Sequence, residues 1–206
     1  GMSLDEERGV VYVPTGSAAY DFYGGNRKGA NLFANCVLAL DAATGKRLWH
    51  YQTGHHDLWD RDLPAAPNLV TVQHEGRNVD AVAQITKSGF VYLLHRDTGQ
   101  PLFPVEERSV PSSDLEGEET WPTQPFPVVP PPFARRKFTM EDVSDISEES
   151  HDYVAGILKN LRTGHPYIPP SRQGTVIFPG FDGGGEWGGA AADPLRGILY
   201  VNSNEM

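Results

Sequence analysis

The densest group of reactive side chains is the ten-residue stretch HHDLWDRDLP, residues 55–64. It offers imidazoles, carboxylates, a guanidinium and an indole, which suit either metal ligation or acid–base catalysis. His55 and His56 are adjacent, so on an extended backbone they point to opposite sides and do not easily share an ion. A catalytic zinc site needs a third converging ligand and an open position. His74, His95, His151 and His165 lie at no helpful spacing. The two histidines therefore read as hydrogen-bonding supports of a loop. The aspartates carry more promise. Asp57, Asp60 and Asp62 flank Trp59, and a carboxylate against an aromatic wall is partly desolvated, which moves its pKa towards the general-base range. Lys87 follows Asp60 by 27 positions, in QITKSGF. An ammonium beside that carboxylate can stabilise a developing oxyanion. On residue types alone, a surface ion pair would look the same.

A second candidate is the glycine-rich stretch FPGFDGGGEWGGAAADP, residues 178–194. No helix-forming segment follows it and no Gly-Lys-Ser/Thr occurs, so it is not a phosphate loop. Glycines let backbone approach a flat ligand, and Trp187 can offer a stacking face. An ordinary turn with a packing tryptophan would also read this way.

These segments need elements to hold them. The 22 glycines and 17 prolines in 206 residues favour many turns and short strands over long helices. Strands are expected at 9–14, 35–41, 46–53, 80–86, 90–96, 175–178 and 197–202, from β-branched and aromatic runs bounded by Gly, Asn or Pro. LALDAATGKRLW (38–49) and YLLHRDTGQPLF (92–103) repeat strand, Thr-Gly turn, strand and aromatic, with the turns 54 positions apart. DPLRGILYV (193–201) carries a further start. This period suits β-propeller blades, with the Thr-Gly joining the last two strands of a blade and Trp49 or Phe103 packing between blades. Two unrelated hairpins with similar turns are the plainer alternative.

Eight prolines between Pro104 and Pro132 predict a stiff, extended excursion without ladder hydrogen bonds. After it, Val154, Ile157, Leu158 and Leu161 recur at helical spacing, with Ser147 as cap and Gly164 as stop. The region 104–170 reads as an insertion on the propeller. Residues 1–4, Gly-Met-Ser-Leu, resemble a cloning remnant and are set apart from the domain at 5–206.

A net charge of −10 argues against nucleic-acid binding. No run of 18 apolar residues exists to span a membrane. Cys36, the single cysteine, excludes an internal disulfide.

In this order, VYVPTGS, LALDAATGKRLWHYQTGHHDLWDRDLPA, QITKSGFVYLLHRDTGQPLFPVEER, WPTQPF, IPPSRQGTVIFPG and EWGGAAADP resemble the quinoprotein dehydrogenases that use pyrroloquinoline quinone (PQQ). The likeness runs over residues 9–204 and is nearest to membrane-type glucose and quinate/shikimate dehydrogenases. It implies an all-β fold, an eight-bladed propeller of four-stranded sheets with PQQ near the axis and Ca²⁺ beside it. This chain has the length of about three such blades. The resemblance implies that Asp60 is the base taking the substrate's hydroxyl proton as hydride passes to the quinone. It implies that Lys87 sits at the quinone oxygens and that Trp187, Glu186 and Trp59 line the cofactor. Ser17 falls where relatives place a calcium-contacting asparagine, and that departure puts calcium ligation here in doubt. The implied substrate is an alcohol or sugar, with electrons leaving to ubiquinone or a cytochrome. The implied location is the periplasm, anchored at the inner membrane through segments outside this chain. A non-catalytic propeller scaffold for protein binding is the alternative, although it has no need of Asp60 and Lys87. A partial ring cannot close, so the chain alone is expected to lack activity and to invite self-association through its open edges.

Overall fold

A computed structural model describes all residues, 1–206. Short antiparallel strands dominate. The first sheet contains β1 (Ser3–Asp5), β2 (Val10–Pro14), β3 (Cys36–Asp41) and β4 (Arg47–Gln52), hydrogen-bonded in that order. The second contains β5 (Asn68–His74), β6 (Arg77–Ile85) and β7 (Val91–His95). A Leu94–Pro101 bridge is all that represents its fourth strand. Two hairpins complete the β structure, β8 (Val105–Ser109) with β9 (Thr123–Pro127) and β10 (Ala190–Asp193) with β11 (Ile198–Val201). The blades therefore hold four, three and two strands, in place of three full sets of four. The sheets do not close into a ring.

The Thr-Gly turns lie where the repeat places them. Thr44–Gly45 joins β3 to β4, and Thr98–Gly99 follows β7. Gly99 has φ +70°, and a Cβ there would stand 2.5 Å from the Trp49 ring. Trp49 thus packs on the next blade's turn, and its indole N–H donates to the Arg96 carbonyl at 3.0 Å. Phe103 differs, because its ring meets His74 edge-on within its own blade. Between the first two sheets lies the main core, which includes Tyr12, Val37, Ala39, Val82, Tyr92 and Leu94. At the rim, Arg8 reaches Asp5, Asp80 and Asp97 at 3.1, 2.7 and 2.8 Å and clasps the two blades together.

Three local expectations are corrected. The proline-rich stretch does form a ladder, because Pro125 and Pro127 alternate along β9. Val128 N–H donates to the Pro104 carbonyl and Val110 N–H to the Pro122 carbonyl, so the ladder runs through even-numbered residues and the missing proline donors face away. Residues 175–178 form no strand, since the run meets only Arg162, in an isolated bridge in which Val176 N–H donates to the Arg162 carbonyl at 2.9 Å. The helix α1 (Glu148–Leu158) starts at Ser147, whose hydroxyl accepts from Ser150 N–H. It buries Ala155 and Leu158 but leaves Ile157 exposed. Ser3 and Leu4, set apart in the sequence, pair with Tyr12 and Val11 as the edge of the first sheet. No helix is long and apolar enough to cross a membrane.

Candidate active site

The loop at 55–64 leaves the first sheet after β4 and enters the second before β5. Asp57 folds it. One carboxylate oxygen accepts Trp59 N–H at 2.8 Å, and the other accepts Arg61 N–H at 2.6 Å, Asn35 Nδ2 at 2.8 Å and the Ser17 hydroxyl at 2.5 Å. The histidines tie the loop to neighbouring segments, His56 Nδ1 lying 2.8 Å from the Gly29 carbonyl and His55 Nδ1 2.7 Å from Gln52 Oε1. No three His, Cys, Asp or Glu side chains converge as metal ligands.

The turn after β6 carries Lys87 to the same place. Its Nζ donates to Asp60 Oδ2 at 3.0 Å and to Asp62 Oδ2 at 3.2 Å, with Glu186 Oε1 at 3.8 Å. Three carboxylates from two separate segments thus meet at the ammonium carried by a third. Asp60 stands at φ +57°, a left-handed conformation that aspartate tolerates better than most residues. Burial pushes the Asp60 carboxyl up to about 6, with the Lys87 hydrogen bond opposing and the Asp62 charge adding to the rise. Asp62 goes the other way. Burial favours its neutral form, but the Ser17 N–H and Lys87 more than offset this and hold it below the usual range. For Lys87 burial favours the neutral amine, and the two aspartates outweigh it and raise the pKa.

The glycine-rich stretch closes over this turn. Gly184 N–H donates to the Lys87 carbonyl at 2.7 Å. Gly183 has φ +69°, and a Cβ on it would come within 2.5 Å of the Lys87 Cβ. The glycines therefore serve a close approach of backbone to the lysine turn, which brings Glu186 to Lys87. Trp187 follows Glu186 directly and is 76% exposed.

Two expected site residues are placed differently. Trp59 is only 1% exposed. It packs edge-on to Tyr167 with ring centroids 5.1 Å apart and donates to the Ile168 carbonyl, so it supports the loop from the core side. Ser17 is occupied by the loop, its hydroxyl by Asp57 and its N–H by Asp62. Asp62, one of the three aspartates around Trp59, is the second partner of Lys87, a role that the resemblance does not assign to it. Its signal in the sequence is the i, i+2 spacing from Asp60.

Comparison with known proteins follows the same lines. The whole chain, residues 1–206, matches the family "Glucose/ethanol/alcohol dehydrogenase, beta-propeller domain", labelled PQQ. It is 40% identical over 205 residues to a quinoprotein glucose dehydrogenase of Gluconobacter oxydans, covering 97% of this chain and 25% of the relative. It is 38% identical over 207 residues to a quinate/shikimate dehydrogenase (quinone) of Acinetobacter baylyi, covering 100% and 26%. The chain spans about a quarter of the length of these relatives. Among solved structures, a europium-containing methanol dehydrogenase matches with TM-score 0.65 at 23% identity, over 99% of this chain and 29% of that one. The quinohemoprotein alcohol dehydrogenase ADHIIG of Pseudomonas putida HK5 matches with TM-score 0.63 at 22% identity, over 98% and 24%. At these identities the two structures bear on the fold alone.

Proposed function

This chain belongs to the PQQ-dependent glucose/ethanol/alcohol dehydrogenase β-propeller family, and we propose that the protein it comes from oxidises a hydroxyl of a sugar or cyclic polyol. The observation that carries this is the contact of Asp60 with Lys87 at 3.0 Å, with the Asp60 carboxyl pushed up to about 6. A carboxylate so tuned is mostly ionised at neutral pH and still basic enough to take a proton.

PQQ, when bound, supplies the two-electron acceptor for the substrate's hydride. We assign its face to Trp187 and its oxygens to Lys87. Asp60 accepts the hydroxyl proton. Lys87 donates hydrogen bonds to oxygens on which negative charge builds. Glu186 borders the same ammonium, and Trp59 acts only as a support beneath the loop. The residues present make no complete Ca²⁺ ligand set, so no step here depends on the ion, and Ser17 is not assigned to it. Domain limits of 5–206 with an insertion at 104–170, a periplasmic location, inner-membrane anchoring by other segments, and ubiquinone or a cytochrome as acceptor belong to the same proposal. The names of the glucose and quinate/shikimate relatives support its substrate class.

The test reconstitutes the full-length protein with PQQ and Ca²⁺ and measures dye reduction with glucose, quinate and simple alcohols. PQQ-dependent turnover of a cyclic polyol or sugar is expected. A protein that binds PQQ and oxidises none of them would refute the reading.

A further inference from the structure

Arg61 lies between the two aspartates that hold Lys87, yet its side chain turns away into the interior. It is only 3% exposed. Its Nη1 donates to the Pro179 carbonyl at 2.7 Å and lies 3.4 Å from the Gly180 carbonyl. Its Nε and Nη2 are buried without any hydrogen-bond partner. No carboxylate lies within ion-pair distance, although Asp57 and Asp60 are near enough to be felt. Burying a guanidinium this way is costly, because unmatched N–H donors and an unpaired charge both lose their water. An apolar side chain of similar length would fill the space at lower cost.

The backbone of the same residue is pinned on both sides. Its N–H is held by Asp57 at 2.6 Å and its carbonyl by Asn35 Nδ2 at 2.9 Å. The guanidinium adds a third anchor, to the turn at 179–180 that starts the glycine-rich stretch leading to Glu186. Arg61 is thus the one side chain of the loop that ties the segment bearing Asp60 and Asp62 to the segment bearing Glu186.

We infer that Arg61 is a positioning residue for the dehydrogenase reaction: a buried strut that fixes Asp60 and Asp62 against Lys87 and places a positive charge behind the base. This rests on the function proposed above. The strut acts on geometry, so its loss lowers kcat more than it raises KM. Its charge favours ionised Asp60, so its loss moves the acid limb of the rate profile to higher pH. The other charges facing Asp60 are Lys87 and Asp62, with Glu186 beside Lys87, and the substitution removes none of them.

The experiment uses the full-length holoenzyme with Arg61→Met and Arg61→Lys, reading kcat, KM, the pH–rate profile, PQQ binding by absorbance and thermal midpoint. For Arg61→Met, kcat should fall roughly tenfold to a hundredfold, the scale of a small misplacement of reacting groups. Its acid limb should move up in pH, while PQQ still binds and the thermal midpoint holds or rises. A merely structural arginine would instead lower the midpoint and leave the acid limb unmoved. Arg61→Lys keeps the charge but not the reach, so its acid limb should match wild type with kcat between the two. Wild-type kcat and an unmoved acid limb in Arg61→Met would overturn the inference. If that variant fails to fold, wild-type kcat in Arg61→Lys overturns it. Wild-type enzyme without PQQ-dependent turnover would instead sink the function on which the inference rests.

Discussion

Replacing Asp60 by asparagine should make the protein more stable at neutral pH, by an amount that appears only as pH rises. The Asp60 carboxyl lies at about 6 in the folded chain against 3.8 when unperturbed. Between these values the folded state binds more protons than the unfolded state. Stability therefore falls as pH rises through this window, and ionised Asp60 is a burden above it. A shift of about two units at 1.36 kcal/mol each gives roughly 3 kcal/mol. The favourable Lys87 contact is already contained in that shift, and the side chain is only 18% exposed, so solvent screening trims the figure modestly. Asparagine keeps the shape and cannot ionise. Urea unfolding of wild type and Asp60→Asn from pH 4 to pH 8 should show near-equal stability at the acid end. By pH 7.5 the variant should lead by about 2–3 kcal/mol. A difference that does not change with pH, or a variant less stable at pH 7.5, would refute the assignment of a desolvated, raised Asp60.

Other consequences are simpler. Gly183→Ala must adopt φ +69° and meet the Lys87 Cβ at 2.5 Å, so it should cost about 1–3 kcal/mol in unfolding experiments and impair the site. Gly99→Ala meets Trp49 at 2.5 Å and should destabilise by a similar amount, whereas Gly197→Ala at φ +66° meets nothing and should cost only its backbone strain of about 1 kcal/mol. Trp187→Ala removes a largely exposed ring. It should leave the thermal midpoint within a degree or two of wild type yet weaken PQQ binding in an absorbance titration of the full-length protein.

The parts legible in the sequence are those fixed by local chemistry. The Thr-Gly turns, the strands leading into them and the Ser147 cap depend on neighbours a few residues away, and each lies where expected, whereas the strand after Thr98–Gly99 shrinks to the Leu94–Pro101 bridge. The 175–178 run failed because a strand is a pairing: Val176, Ile177 and Phe178 have the right propensity and no strand beside them. β5 was missed because NLVTVQH mixes polar residues into a half-exposed strand, which blurs the alternation. β9 was missed because prolines usually forbid a ladder, and only their placement at every second residue permits one. At the site, family resemblance pointed to Asp60 and Lys87. The roles of Asp62 and Arg61 depend on which way three consecutive side chains turn, and that is set by Asp57, Asn35 and the distant Pro179 carbonyl. Trp59 faces the core for the same reason, since a tryptophan beside a carboxylate can face a ligand or a core equally well.

The central claim is that Asp60 is the proton acceptor in a PQQ-dependent alcohol oxidation. Its most direct test is the turnover of full-length Asp60→Asn loaded with PQQ, with bound cofactor counted by absorbance in the same sample. Full loading with kcat reduced roughly a hundredfold to ten-thousandfold, the scale of general-base catalysis, is the predicted result. Full loading with wild-type kcat would contradict it.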